Sequence, residues 1–359
     1  MEPDSFFETA VIDGLEFATA AELRHRFGQD ARLLHPPERY PGTLQFTYDG
    51  NPYHLFQLKT VLSLFWVERF PIPRPRALMG HQHLQRLLAR IAAVRALNPK
   101  DSFNTLYLAA AGAESSVLAR FVDELARETG LAAASTEGDL LVRLRRPLDG
   151  SPGWETAVRM APRPLSVRPW RVCDRKGALN AAAAQVMIQL SLPRSEDIFL
   201  NIACGSGTLL IERAASAPAR LIVGCDTDPA ALECAQANAQ ESRQGRRIHL
   251  ADWDAQALPL ASNSIDVVCA DLPFGHDVGS HLENMDLYPS LLAEAARVAK
   301  PGARGLFLTH EVRLIEDVLA NSAAWAIERV IPIALAGLHP RIYLLEKRGY
   351  TPKHRQSPT

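Results

Sequence analysis

The sequence predicts an α/β chain: a mostly parallel sheet with an antiparallel closing hairpin, preceded by small α+β domains. Three observations carry this reading. After about residue 178, near-continuous apolar runs alternate strictly with amphipathic stretches, the pattern of a parallel sheet covered on both faces. The last of these runs come as a pair, "AIERVIPIALAGLHPRIYLLEKR", joined by a Gly-containing loop. Before about residue 165, short strand-like and helical runs are mixed over short spans, as in small α+β units.

Taken in order, "FETAVI", "GTLQFTY", "FNTLYLAAAG" and "DLLVRLRRP" read as strands. "GLEFATAAELRHRFG", "HLQRLLARIAAVRAL" and "SSVLARFVDELARETG" space their apolar residues by three and four and read as helices. "RFPIPRPRALMG", with three prolines, reads as a linker that divides residues 1–75 from 76–165. In the second half "DIFLNIA", "RLIVGCD", "RRIHLAD", "SIDVVCAD" and "ARGLFLTH" are the expected strands. "GTLLIERAAS", "PAALECAQANAQ" and "LYPSLLAEAARVA" are the helices between them. Asp228 and Pro229 provide cap and first-turn chemistry for the second. The polar tail 350–359 is expected to be disordered.

Composition narrows the function classes. Hydrophobic residues at 47% and charged residues at 22% describe an ordinary globular chain. No apolar run is long enough to span a bilayer, and the acidic N-terminus lacks a secretory pattern, so a cytoplasmic protein without membrane contact is expected. The five cysteines form no C-x-x-C pair and read as buried reduced thiols, with no metal site. A monomer is expected. The net charge of −1 says little about partners. Locally, however, residues 143–176 hold nine basic against three acidic side chains. Such a stripe can attract phosphates, with Arg143, Arg145, Arg146, Arg163, Arg168 and Arg171 as its candidate RNA contacts, or it is an arginine-decorated strand pair, solvated and inert.

Three successive strand ends favour an adenosine ligand. "FLNIACGSGTLLIE" is strand, glycine loop and helix, where a ligand can approach the backbone at a helix N-terminus. A dinucleotide fold would want a third glycine where Leu210 stands. Asp226, nineteen residues after Gly207, can accept from both ribose hydroxyls. Asp252 suits an adenine amino group, with Trp253 beside it. The candidate cofactor contacts are therefore Asn201, Ala203, Cys204, Gly205, Gly207, Thr208, Asp226, Thr227, Asp252, Trp253 and Asp271.

The fourth strand ends on Asp271-Leu272-Pro273-Phe274, the candidate catalytic residues. This stretch resembles the D/N-P-P-Y/F motif of S-adenosylmethionine-dependent methyltransferases acting on exocyclic base amines. The chemistry accounts for the residue types. An aromatic amine is a weak nucleophile because its lone pair is delocalised into the ring. Acceptors on its hydrogens, from the Asp271 carboxylate and the Leu272 carbonyl, can aim that lone pair at a sulfonium methyl. Pro273 stiffens the backbone and Phe274 offers a stacking face.

The resemblance extends over residues 165–348. The "ACGSGT" loop, "DLPFG", "DLYPSLLAEAARVAKPGARGLFLTHE" and "GLHPRIYLLEK" are similar to the THUMP-containing RNA guanine-N2 methyltransferases, especially those modifying tRNA. "LSVRPWRVCDRKGALNAAAAQVMIQL" is similar to their lead-in to the catalytic domain. The resemblance implies a Rossmann-like methyltransferase domain at 166–349, after a ferredoxin-like domain at 1–75 and a THUMP-like RNA-binding domain at 76–165. It also implies S-adenosyl-L-methionine as cofactor and tRNA as partner. Two departures stand out: Asn201 replaces the usual acid, and Leu272 the usual first proline. The residues leave open another base amine such as adenine N6, a different RNA such as rRNA, or a non-catalytic RNA-binding protein on a decayed fold. His276 and His281 stand just beyond the motif, either in a loop over the target base or simply exposed, and His310 and Glu311 follow the fifth strand, where they can contact the substrate.

Overall fold

The computed structural model describes residues 5–273, 281–335 and 337–349; Phe274, His276 and the tail 350–359 lie outside the described residues. The chain forms two compact units, Met1–Val167 and Arg168–Thr359.

The first unit runs β1 (Ser5–Ala10), α1 (Glu16–Phe27), β2 (Ala31–Leu33), β3 (Thr43–Tyr48), β4 (Ser63–Phe70), α2 (His81–Ala96), β5 (Thr105–Ala110), α3 (Ser116–Thr129), β6 (Ala132–Ala133), β7 (Leu140–Arg145) and β8 (Trp154–Arg159). All eight strands share one sheet, in the order β2-β3-β1-β4-β8-β7-β5-β6. Residues before and after the proline-rich linker are thus joined through the antiparallel pair β4 and β8. The helices begin and end where local chemistry directs. In α3, for instance, Ser115 accepts from the Leu118 N–H and Gly130 closes the helix in the left-handed region. Leu23 of α1, Leu87 and Ile91 of α2, and Phe121 and Leu125 of α3 pack with Phe46, Leu64, Val142 and Val158 of the sheet.

The opposite face centres on a small apolar cluster, Phe6, Phe65, Val67 and Ala157. Two buried acids, Glu8 and Glu155, sit on it. Arg145 donates to both, and Arg69 Nε donates to Glu155 at 2.9 Å. Burial raises the Glu155 carboxyl, against the pull of Arg145 and Arg69. Removing one member of a buried ion-paired set leaves uncompensated charge, at a cost of about 3–5 kcal/mol. Arg145→Ala is therefore expected to lose stability on that scale in denaturant unfolding. A loss no larger than that of an ordinary surface substitution would contradict the assignment.

The second unit runs α4 (Ala181–Leu190), β9 (Ile198–Ile202), α5 (Thr208–Ser216), β10 (Leu221–Asp226), α6 (Pro229–Glu241), β11 (His249–Asp252), β12 (Ile265–Asp271), α7 (His281–Val298), β13 (Ala299–Thr309), α8 (Val312–Ala320), β14 (Trp325–Pro332) and β15 (Arg341–Lys347). Its sheet has the order β11-β10-β9-β12-β13-β15-β14. The first five strands in that order are parallel, and β15 is antiparallel to both β13 and β14. This is the expected parallel sheet with a closing hairpin. The chain leaves β9 toward β10 and β11, then returns to β12 on the other side. That reversal opens a crevice at the C-terminal strand ends, where ligands bind in such sheets.

Two expectations need correction. Helix α7 begins at His281, six residues before the apolar pattern starts at Leu287, and it carries Pro289 inside. The cysteines are not all thiols. Cys173 and Cys234 form a disulfide, with Cα atoms 5.4 Å apart, while Cys204, Cys225 and Cys269 are free and buried. Among the described residues no helix is long and apolar enough to cross a membrane.

Candidate active site

The site is built from the loop between β9 and α5 outward. Ala203, Gly205 and Gly207 all take positive φ, at 49°, 53° and 81°, folding the chain into a tight arch. Gly207 is required for packing as well as conformation, since a Cβ there would lie 3.1 Å from Ala235 Cβ on α6. Gly205 is different. No heavy atom lies within 4 Å of where its Cβ would be, so this backbone faces open space that a ligand can enter.

Asp226, at the end of β10, ties the arch down. Its Oδ2 accepts from the Gly205 N–H at 2.8 Å and its Oδ1 from the Asp228 N–H at 3.0 Å. Asp228 in turn caps α6, accepting from the Ala230 N–H at 2.9 Å. Strand register sets Asp226 directly beside Asp252, and both are solvent-accessible. Thr227 is exposed, and Trp253 is partly buried against the core. The arch, the first acid and the second acid therefore lie along one sheet edge, as the adenosine reading requires. Cys204 and Thr208 are buried. Asn201 is buried too, its Nδ2 donating to the Ile202 and Cys269 carbonyls, each at 3.1 Å. Its Oδ1 is enclosed without a partner, so it offers an acceptor but no charge.

A feature the sequence reading missed is the clamp on the lead-in segment. The fully buried Asn238 of α6 accepts from the Val172 and Cys173 N–H groups, and donates to the Cys173 and Ser206 carbonyls. The Cys173–Cys234 disulfide fastens the same segment one helical turn earlier on α6. Arg171 donates to the Leu179 carbonyl and to Thr208 Oγ1, and Arg175 pairs with Asp228. The segment is thereby held against the glycine arch at several points.

The Asp271 turn is the second half of the site. The residue is half-buried, but Oδ1 is enclosed and has no hydrogen-bond partner among the described residues. Burial pushes its carboxyl up to about 8. Leu272 is buried and donates its N–H to the Leu308 carbonyl at 2.9 Å. The Pro273 carbonyl accepts twice, from Asn284 Nδ2 at 3.0 Å and from Tyr288 Oη at 2.7 Å. Because a carbonyl can only accept, the Tyr288 proton is committed to it. Thr309 Oγ1 must then donate to Tyr288 Oη across their 2.7 Å contact, and it accepts from the Glu311 N–H at 2.9 Å. Asn284 and Tyr288 are fully buried, one helical turn apart on α7. They pin the turn that orients Asp271 and the Leu272 carbonyl. Their i, i+4 spacing was visible in the sequence, but the stretch before Leu287 had not been read as helix.

The arginines divide by environment. Arg145 is committed to Glu8 and Glu155, and Arg143 lies over the Phe65 ring at 4.0 Å. Arg168 pairs with buried Glu212 at 2.8 Å, and Arg171 is held as described above. Arg146 and Arg163 are exposed, with Arg146 donating to the Gly153 carbonyl.

A glycine arch, acids on adjoining strand ends and an Asp-Leu-Pro turn, on a sheet with this order, define a Rossmann-like methyltransferase domain. Residues 168–340 match the family model of UPF0020, the RMKL-like methyltransferase domain. Among curated relatives, the tRNA (guanine(6)-N(2))-methyltransferase THUMP3 of Mus musculus is 30% identical over 182 residues, covering 47% of this chain and 36% of that protein. The tRNA (guanine(6)-N2)-methyltransferase of Thermus thermophilus is 29% identical over 207 residues, covering 57% of this chain and 60% of that protein. The matched region thus spans about a third of the mouse relative and three fifths of the bacterial one. Among solved structures, TrmN from Thermus thermophilus superimposes with a TM-score of 0.72 at 23% identity, over 96% of this chain and 99% of that one, so the fold is shared.

Proposed function

We propose that this chain is an S-adenosylmethionine-dependent RNA methyltransferase that modifies the exocyclic N2 amine of a guanine, in tRNA, in the cytoplasm. The observation that carries the proposal is Asp271: an acid with an enclosed oxygen unpartnered among the described residues, beside a backbone turn pinned by Asn284 and Tyr288. The two curated relatives support the choice of guanine N2 and tRNA. On this reading the glycine arch, Asp226, Asp252 and Trp253 hold the cofactor, whose open approach lies at Gly205. The bound cofactor supplies an electrophilic methyl group on a sulfonium. The chain's own contribution is positioning. Asp271 accepts one amine hydrogen and the Leu272 carbonyl the other, so the nitrogen lone pair points along the line of displacement. Transfer of that methyl to the nitrogen would leave the cofactor as a thioether, and the methylated amine would give its proton to solvent. Residues 1–75 and 76–165 serve as the ferredoxin-like and THUMP-like RNA-binding parts, with Arg146 and Arg163 as the exposed phosphate contacts. The test is nucleoside mass spectrometry of tRNA incubated with enzyme and cofactor. N2-methylguanosine is expected, and N6-methyladenosine or no product would overturn the reading.

A pH dependence follows from Asp271. Only the ionised carboxylate accepts strongly from the amine, so kcat/KM for RNA is expected to climb tenfold per pH unit below its pKa and flatten above it. The free-protein value is about 8, and a neighbouring sulfonium charge lowers it. A flat profile from about pH 6 to about pH 9 would show that this ionisation is not required.

A further inference from the structure

Glu311 stands at the start of α8, where an acid would ordinarily cap the helix, yet its side chain makes no capping bond. Instead Oε2 meets His281 Nδ1 of α7 at 2.9 Å, while Oε1 has no partner among the described residues. The carboxylate is only 16% exposed. Its backbone N–H starts the hydrogen-bond chain through Thr309 and Tyr288 that ends on the Pro273 carbonyl, so it is fixed to the Asp271 turn. Strand register places Asp271 opposite Leu308, three residues before Glu311. Burial raises the Tyr288 hydroxyl, and the charges of Glu311 and Asp271 add to that.

Acceptors on these two neighbouring strand ends suit one base edge. The Watson–Crick edge of guanine presents two adjacent donors, the N2 amine and the N1–H. That of adenine presents one donor, the N6 amine, beside the N1 lone pair. We propose that Glu311 is a specificity-determining residue that accepts the N1–H of the target guanine while Asp271 and the Leu272 carbonyl hold its N2 amine. His281 orients the carboxylate. Adenine is rejected because its N1 lone pair would face the Glu311 oxygen with no proton between them, an unpaired and repulsive contact. This inference rests on the guanine reading given above and explains how the site would enforce it.

The test uses the full-length protein and a tRNA transcript whose modified position has been mapped by nucleoside analysis. That guanosine is replaced by 2-aminopurine, which keeps the N2 amine but carries a lone pair at N1. The unmodified protein is expected to prefer guanine over 2-aminopurine in kcat/KM by about ten- to a hundred-fold, the range for one well-placed base contact. Glu311→Gln, whose amide can donate to that lone pair, is expected to lose or invert the preference. Equal use of both bases by the unmodified protein would overturn the proposal whether or not the variant folds. So would an unchanged preference in a Glu311→Gln protein that still binds S-adenosylmethionine by calorimetry. Failure to form N2-methylguanosine at all would instead refute the broader reading, and the two failures are distinct.

Discussion

Asp271→Ala is expected to lower methyl transfer by about 10²–10³-fold, the usual consequence of removing one preorganised polar contact to a reacting group. Cofactor affinity, read by calorimetry, should stay within a few-fold, because the arch and Asp226 are untouched. Affinity lost in step with activity would show that the acid serves the cofactor instead of the amine. Asp271→Asn keeps an acceptor oxygen, as the D/N position of the motif allows, so it should lose less activity than the alanine variant and be more stable than the parent. The folded chain keeps the Asp271 proton up to about pH 8, whereas an unfolded chain releases it near about pH 4. The unfolded state therefore binds fewer protons across that window, and the native protein loses stability as pH rises through it. The asparagine variant has no such proton to lose. Its melting temperature should match the parent near about pH 4 and exceed it increasingly toward about pH 8. Parallel curves would place the carboxylate in a more solvated setting than its enclosed oxygen indicates.

Asp226→Ala should produce the largest loss of cofactor binding. The side chain holds the Gly205 and Asp228 N–H groups and, on the proposed function, receives the ribose hydroxyls. Hydrogen bonds to a charged acceptor contribute about 1.5–3 kcal/mol each. Losing the ribose contacts and the tether of the arch together should weaken S-adenosylmethionine by at least about a hundred-fold, since each 1.4 kcal/mol is about a factor of ten. A change under about threefold in calorimetric affinity would mean that the ribose is gripped elsewhere.

The reading of the second unit from sequence succeeded where burial on both faces leaves long apolar strands, as in "SIDVVCAD", and where glycine and proline punctuate them. It failed where chemistry interrupts the pattern. Strand β4 reads "SLFWVERF" and β8 "WETAVR"; Arg69 of the first and Glu155 of the second interrupt the apolar sheet face, where Glu155 finds Arg69 and Arg145. Partners such as Glu8 and Arg145 stand 137 residues apart, so no local window shows that the arginine stripe is in part an internal ion-pair network. Helix α4, "AAAAQVMIQL", is buried all round and so lacks a polar face to reveal its period. The disulfide partners are 61 residues apart and share no motif. At the site, the glycine arch and the strand-end acids were legible because each is a contiguous string. The contributions of Asn284, Tyr288 and Thr309 were not, because they converge on Pro273 only after a helix and a strand are folded around it.

The shared sheet of the first unit governs how the molecule can be divided. Strand β4, from before the proline-rich stretch, and β8, from well after it, are central neighbours. Severing the polypeptide at residue 75 would split them and bare a ladder of unpaired amides and carbonyls on each fragment. The N-terminal unit, Met1–Val167, is therefore held together by one continuous sheet to which both sides of the proline-rich stretch contribute.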